Sequence, residues 1–564
     1  MSNTKKTSNE IIKETSEGLR GTISQELGRR TDHFSKEDAQ LLKFHGIYEQ
    51  DDRDLRQQLK KEGKGKKYIF MIRTKIPGGG ELTSGQWEAL TKVADSYADG
   101  TLRITTRQDI QFHGVGKNSL QRAIKHLNDH YVTTYGACGD GNRNIVSSPV
   151  SNISKGSVFD GQGLAKRISD SLGFKSKAYY DVWLDGERVR GDEDETETLY
   201  GKAYLPRKFK IGIADPDDNS VDVYTHDIGI VPVREGSLEG FNVLVGGGLG
   251  TTNRNADTYP RLGTPIARVE DDKMIDVVRR IVEIQRDYGD RSNRKHARLK
   301  YLVEEWGVGR FKNELEKRLG YRLDPPLEIS LERSEKYLGW HEQVTPGLWY
   351  LGIFVENGRI ADNGSCGMKT GLLAVTKKYK TGVRLTPSQD IILTNIPAEK
   401  IKEVEKDLRH YGIKGDEEHS ALRKYAMACP ALPTCGLALA EAERFLPSVI
   451  TELEQMGYDR EQVTIRMSGC PNACARSPVA EIGIMGTSPG KYNLYIGGSA
   501  TGDRLNKLFE ENVPGDELPS RIAMLLDLYR ERGIGSESFG DFANRVGGEY
   551  LRDAIRGTAR RDAV

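Results

Sequence analysis

Four of the six cysteines in this 564-residue chain fall in two tight pairs, Cys429 and Cys435 in CPALPTC and Cys470 and Cys474 in GCPNAC. A proline follows the first thiol of each pair, at Pro430 and Pro471, and Pro433 stands inside the longer spacing. Proline lacks an N–H and clashes with the preceding helical turn, so Cys429 and Cys435 belong to a loop that curls around something. Directly behind it, GLALAEAERFL has the composition of a helix over 436–446. Paired thiols serve three chemistries. A disulfide framework needs a denser cysteine content and an oxidising compartment. Structural zinc favours CxxC knuckles or added histidines, and neither pair has that form. An iron-sulfur cluster suits four soft thiolates, and proline after cysteine recurs in the loops that hold one, so the cluster is the preferred reading.

The setting of the two pairs, ACPALPTCGLALAEAERFLP and RMSGCPNACARSPVAEIG, resembles the signature of the sulfite and nitrite reductase family, whose members couple a 4Fe-4S cluster to siroheme. Further matching motifs run through nearly the whole chain: FHGIYEQDDRDLR at 44–56, MIRTKIPGG at 71–79, TTRQDIQFHG at 105–114, GDGNRN at 139–144, YLPRKFKIG at 204–212 and FNVLVGGGLG at 241–250. The resemblance implies that Cys429, Cys435, Cys470 and Cys474 all ligate the cluster and that Cys474 also bridges to the siroheme iron. It implies six-electron reduction of sulfite to sulfide in assimilatory cysteine biosynthesis. Electrons would come from an NADPH-oxidising flavoprotein carrying FAD and FMN, within a hetero-oligomer. Nitrite as substrate, and ferredoxin as donor, remain open beside these. The chain departs from the family pattern at Ala473 and Ala475, where glycine is usual, and at Pro430, where an aliphatic residue is usual.

Reducing sulfite removes three oxygens as water, so the site must hold an anion that gains charge and must deliver protons repeatedly. Lysine and arginine meet both demands by offsetting developing charge and donating hydrogen bonds. The resemblance implies Arg73, Arg143, Lys208 and Lys210 as the substrate contacts. Lys208 and Lys210 fit independently, because residues at i and i+2 of an extended segment face the same side. A lysine is the better proton donor, since burial beside other cations brings an ammonium toward neutral pH while guanidinium keeps its proton. Siroheme is itself a polycarboxylate and needs its own cations. Arg103, Arg107 and Arg207 lie in matching motifs, and Arg294, Arg298 and Lys300 lie in the basic run RSNRKHARLKY (291–301). Asn142 and Asn144 would add hydrogen bonds to the same periphery. An exposed basic helix or a nucleic-acid patch would also read as such a run, but no aromatic side chains alternate with the charges, which favours the cofactor.

Positioning these groups takes a large and repetitive scaffold. The length suits three or four domains. RITTRQDIQFHGV (103–115) aligns without gaps on RLTPSQDIILTNI (384–396), and FNVLVGGG (241–248) on YNLYIGGS (492–499), in the same order. Two such matches point to an internal duplication. The expected fold is α+β with pseudo-twofold architecture, each half a ferredoxin-like α/β unit plus a larger mixed α/β unit that binds siroheme and cluster. The expected divisions are an extension over 1–60 that wraps or docks, ferredoxin-like units at 61–135 and 336–415, and larger units at 136–335 and 416–564. In the first half YIFMIRTKIPGGG reads as a strand, SGQWEALTKVADSYA as an amphipathic helix and LRITTRQDIQFHGV as a second strand. The charged stretch 191–199 and the proline-bearing 322–337 are the linker candidates.

Other function classes find little support. Lysine plus arginine number 83 against 82 aspartate plus glutamate, so no global field recruits nucleic acid or an anionic membrane. No run of about 18 apolar residues suggests a membrane span, and the N-terminus lacks an apolar leader, which reads as a cytoplasmic protein. GGGLG at 246–250 is not a dinucleotide fingerprint, because Thr251 stands where its last glycine belongs. Cys138 and Cys366 read as buried free thiols, and His113 as either a neighbour of the haem or a core histidine.

Overall fold

The computed structural model describes residues 6–557 apart from 158, 176–182, 185–186, 189–196, 236 and 333–336. The linker candidate at 191–199 therefore lies largely outside the described residues, as do 333–336 of the second. Two small sheets and two larger ones carry the fold. The first small sheet runs Ile47–Asp51, Tyr68–Arg73, Ile110–Val115, Leu102–Ile104, and the second runs Gly339–Glu342, Leu348–Ile353, Ile391–Pro397, Gly382–Leu385, all antiparallel. Each is backed by two helices, Ser84–Tyr97 with Leu120–Asp129 and Met368–Tyr379 with Ile401–His410. Trp87, Leu90 and Val93 of the first pair share one core with Leu372 and Val375 of the second. The two ferredoxin-like units thus bury their apolar faces against each other, which neither could do alone.

The larger sheets repeat one another strand for strand. Val146–Ser147, Ile211–Ile213 and Ile228–Glu235 are parallel, followed antiparallel by Ser237–Val245 and Thr264–Val269. Ala426–Ala428, Ile465–Ser468 and Ile482–Ser488 are likewise parallel, followed antiparallel by Lys491–Ile496 and Lys507–Pro514. The two segments matched as FNVLVGGG and YNLYIGGS occupy the same place in the two sheets.

Reciprocal contacts across the seam express the duplication. Arg359–Ile360 of the second half pairs with Leu102–Arg103 of the first, and Leu82 of the first bridges Val383 of the second. Gln108 Nε2 donates to the Leu385 carbonyl at 2.9 Å, and its counterpart Gln389 Nε2 donates to the Ile104 carbonyl at 3.4 Å. A side chain at Gly79 would strike the Leu385 carbonyl, and one at Gly358 the Ile104 carbonyl; both glycines also hold positive φ, at 76° each.

Three local readings are corrected. LRITTRQDIQFHGV is a hairpin, because Gln108 at φ 56° turns the chain and sends its amide across the seam. GLALAEAERFL is not helical; the helix begins at Leu446. Leu439 and Ala440 instead give their N–H groups to the Gly469 carbonyl, so tertiary bonding overrides propensity. The N-terminal segment does more than wrap. Ile47–Asp51 completes a sheet, Phe44 is fully buried, and Lys13 Nζ, buried, donates to the Leu205 carbonyl at 2.6 Å. Among the described residues no helix is long and apolar enough to cross a membrane.

Candidate functional site

The two cysteine loops leave the C-terminal ends of neighbouring strands, Ala426–Ala428 and Ile465–Ser468, which pair in parallel and so deliver Cys429 and Cys470 side by side. This is where a parallel sheet places its sites. Gly469 N–H points at Cys429 Sγ at 3.3 Å, and Asn472 Nδ2 at Cys470 Sγ at 3.5 Å. Burial raises the Cys429 thiol well above its ordinary range, and Cys474, Cys470 and Cys435 add to it; burial and Cys474 push Cys470 up to about 11. Buried thiols such as Cys429 and Cys470, close to other thiols, resist ionisation unless positive charge is placed among them. Among the described residues, no three His, Cys, Asp or Glu side chains close on a single metal point.

Cys474 differs from its three companions. It is exposed, and it forms part of the wall of a cleft of about 280 Å³. Eight cations line that cleft, Arg107, Arg207, Lys208, Lys210, Arg294, Lys295, Arg298 and Arg476, and no carboxylate does. Lys208 and Lys210 flank Phe209, which is buried, so the alternation of an extended chain sends both ammonium groups to the cleft. Burial, with Arg207 and Arg298 adding to it, brings Lys208 down to about 7 against the pull of Cys474. Burial and Lys208 lower Lys210 well below its ordinary range. Burial also lowers Arg107, Arg207 and Arg476, but a guanidinium stays charged at neutral pH.

The cationic wall is held from behind by carboxylates that do not reach it. Asp140 takes both Arg294 nitrogens at 2.7 and 2.9 Å; burial disfavours its charge, yet Lys13, Arg294 and Arg207 outweigh that and hold it at about 2. Asp227 takes Arg298 at 2.7 Å and the Lys210 N–H at 2.8 Å. Asp222 takes Arg476 and Arg466, both at 2.5 Å.

The family model described as the nitrite and sulphite reductase 4Fe-4S domain matches residues 138–323 and 426–561, and that of the ferredoxin-like half domain matches 61–130 and 341–411. The chain belongs to the nitrite and sulphite reductase family. It is 44% identical over 547 residues to the sulfite reductase (NADPH) hemoprotein beta-component of Staphylococcus haemolyticus, covering 95% of this chain and 94% of that protein. The corresponding protein of Anoxybacillus flavithermus is 44% identical over 558 residues, covering 97% and 96%. The solved Mycobacterium tuberculosis NirA protein shares the fold, with a TM-score of 0.80 at 24% identity and 97% of each chain covered.

In this member of the family, the residues singled out from the sequence divide into those that line the cleft and those that do not. Arg107, Arg207, Lys208, Lys210, Arg294, Arg298 and Cys474 line it. Arg73 and Arg143 stand just behind. Burial works against the Arg73 charge, but Cys138, Asp109, Tyr48 and Cys474 raise its pKa, and Arg143 lies within electrostatic reach of Lys208. Arg143 is anchored by Nε to the Gly139 carbonyl at 2.9 Å. Arg103 is elsewhere: it is buried, bonds Glu443 at 2.7 Å and holds the Ala428 carbonyl at 3.0 Å beside Cys429. Lys300 Nζ bonds the carbonyls of Gly248, Gly250 and Tyr259, pinning the glycine loop. Asn144 clamps the Ile76 and Arg107 carbonyls at 2.7 and 2.8 Å. His113 is a buried histidine against Arg359, not a cleft residue.

The residues present fit a tetrapyrrole polycarboxylate and a cluster. Asn142 keeps both side-chain polar atoms buried without a protein partner, and so does Arg107 Nε. Unpaired buried donors, here Asn142 Nδ2 and Arg107 Nε, near a cleft lined by cations and by no carboxylate are what an anionic ligand would satisfy.

Two further residues escaped the sequence reading. Arg476, two positions after Cys474, binds the carbonyls of Thr106, Ser220 and Pro387 at 3.1, 3.1 and 3.2 Å, joining both halves at the cleft. Arg53, inside the FHGIYEQDDRDLR motif, gives its guanidinium to the carbonyls of Cys435, Gly436 and Ala438 at 3.3, 3.0 and 3.3 Å. Their closeness to motif residues was the available signal.

Proposed function

We propose that the chain is the haem-bearing component of an assimilatory sulfite reductase, reducing sulfite by six electrons to sulfide, in the cytoplasm, with an NADPH-oxidising flavoprotein as electron source. The observation that carries this reading is the double placement of Cys474, in the thiol quartet and in the wall of a cleft whose other charged groups are all cationic. Cys429, Cys435, Cys470 and Cys474 would hold the 4Fe-4S cluster, and Arg107, Arg207, Arg294 and Arg298 the siroheme carboxylates. When bound, siroheme and cluster would pass on the partner's electrons and offer an iron atom to the substrate. The protein supplies the rest. Lys208 and Lys210, with Arg73 and Arg143 behind them, bind the sulfite oxyanion and offset the charge it gains. An ammonium at about 7 can give up a proton at the substrate oxygen and regain one from solvent within a neutral-pH cycle, so Lys208 Nζ is assigned the relay of solvent protons, two of which each oxygen needs to leave as water. The arginines hold position and charge throughout.

The purified protein, supplied with reduced methyl viologen, should convert sulfite to sulfide and show haem and iron-sulfur absorption. Protein that binds neither iron nor acid-labile sulfide after anaerobic reconstitution would overturn the assignment. The nitrite alternative is judged by kcat/KM for the two anions in competition, with sulfite expected to be preferred.

A further inference from the structure

The chain carries a net charge of only +1, yet residues 53–67, RDLRQQLKKEGKGKK, hold seven lysines and arginines against two carboxylates. Residues 60–67 are all exposed. This basic strip is fastened to the outer side of the cysteine loop. Arg53 clasps the carbonyls of Cys435, Gly436 and Ala438, and Asp54 pairs with Arg444 at 3.0 Å just beyond that loop. Between the clasped carbonyls Leu437 stands 68% exposed, the most exposed large apolar residue among the described residues of the second half. Of the four cluster thiols, Cys474 opens to the cleft, Cys429 and Cys470 are buried, and Cys435 lies half-buried beside Leu437. The cleft is the substrate's side, so the Cys435 loop is the side left for electrons to arrive.

We propose that the face made by Arg53, Lys60, Lys61, Lys64 and Leu437 is the docking surface for an acidic one-electron carrier protein, which delivers electrons to the cluster through the Cys435 loop. The inference rests on the cluster reading given under the proposed function. An exposed apolar residue joined through Arg53 to a strip in which seven of nine charged residues are positive suits a transient, electrostatically steered interface. The charge sign selects the partner: a carrier with an acidic rim around its redox group is attracted, and a basic one is repelled. Arg53 connects the two roles, since the guanidinium that helps form the basic face also fixes three carbonyls of the thiol loop.

The test uses the full-length holoenzyme and, as probe, dithionite-reduced flavodoxin, an acidic FMN protein. Stopped-flow bleaching of the enzyme's visible absorption reports electron transfer without requiring sulfite turnover. Lys60→Glu/Lys61→Glu/Lys64→Glu should slow the second-order rate at low salt by about tenfold or more and remove most of its ionic-strength dependence. Reduced methyl viologen, a small dye that needs no docking, should reduce the variant as fast as wild type. A control triple of equal charge change on three helices, Lys125→Glu/Lys166→Glu/Lys377→Glu, should leave the flavodoxin rate within about twofold. Equal flavodoxin rates in the first variant and wild type, or an equal loss in the control, overturn the docking surface. A wild type that accepts flavodoxin electrons in this charge-dependent way yet turns over no sulfite would sink the function reading and leave the docking surface standing.

Discussion

Lys208 offers a quantity that can be worked through before any cofactor is present. In the unfolded chain its ammonium titrates at 10.5, and in the folded protein burial beside Arg207 and Arg298 brings it to about 7. A difference of roughly 3.5 units corresponds to about 5 kcal/mol at 1.36 kcal/mol per unit. Between the two values the unfolded chain binds a proton that the folded chain does not, so stability rises with pH across that window. Below about pH 7 the whole penalty is felt, and above 10.5 it is gone. Lys208→Met keeps the length of the side chain and removes the proton. The cofactor-free variant should therefore be more stable than wild type by up to about 5 kcal/mol at pH 6.5, with the gap shrinking steadily toward pH 10. Urea or thermal denaturation of both proteins, prepared from a host that makes no siroheme, measures the gap; Lys210, which Lys208 holds down, is relieved in the variant and moves the gap in the same direction. A variant no more stable at pH 6.5, or a gap that widens with pH, would refute the reasoning about the cleft's electrostatics. The loaded variant should at the same time lose roughly 10²–10⁴-fold in turnover, the usual cost of losing a proton donor.

Cys474→Ser should lower bound iron and acid-labile sulfide and disturb haem absorption together, read by metal analysis and visible spectra; full retention of both would contradict the double role of that thiol. Gln108→Ala removes the amide's bonds to the Gly78, Ser147 and Leu385 carbonyls and the acceptor of the Ser147 N–H, and should cost about 3 kcal/mol by urea denaturation, more than Gln389→Ala, whose bonds of 3.2 and 3.4 Å are longer and fewer. Arg103→Met removes one of the two arginines on buried Glu443 and should destabilise by about 3–5 kcal/mol. Burial disfavours the Glu443 charge, but Arg103 and Arg359 outweigh it and hold its pKa below the usual range. That contribution is present above the ordinary carboxylate pKa and lost on acidification, so the variant should lose stability at a higher pH than wild type, measured by acid titration of the circular dichroism.

The parts of this molecule that could be read from sequence are those whose determinants are local. Cysteine spacing with proline forces a loop, an i,i+2 pair of lysines in an extended segment must share a face, and a duplicated strand pattern must make duplicated sheets. What escaped depends on partners far away in the chain. LRITTRQDIQFHGV alternates like one strand, and the distant carbonyls of Gly78, Ser147 and Leu385, the last 277 residues on, explain why Gln108 turns it. GLALAEAERFL is helical by composition, but Arg53 and the Gly469 carbonyl compete for its backbone and win. The basic residues show the same limit most sharply. Arg103, Arg298 and Lys300 look equivalent as letters in matching motifs, yet Arg298 reaches the cleft, while Arg103 braces the thiol loop and Lys300 ties down a turn. A wall of cations that must receive an anion cannot be neutralised from the front, so its carboxylates, Asp140, Asp222 and Asp227, are placed behind it. Those pairings span 154 residues for Asp140 with Arg294 and 244 for Asp222 with Arg466. The separation of charge into a cationic front and a carboxylate back, with the ion pairs formed from behind, is a property of the folded chain, and it is what leaves the cleft a place for an anion.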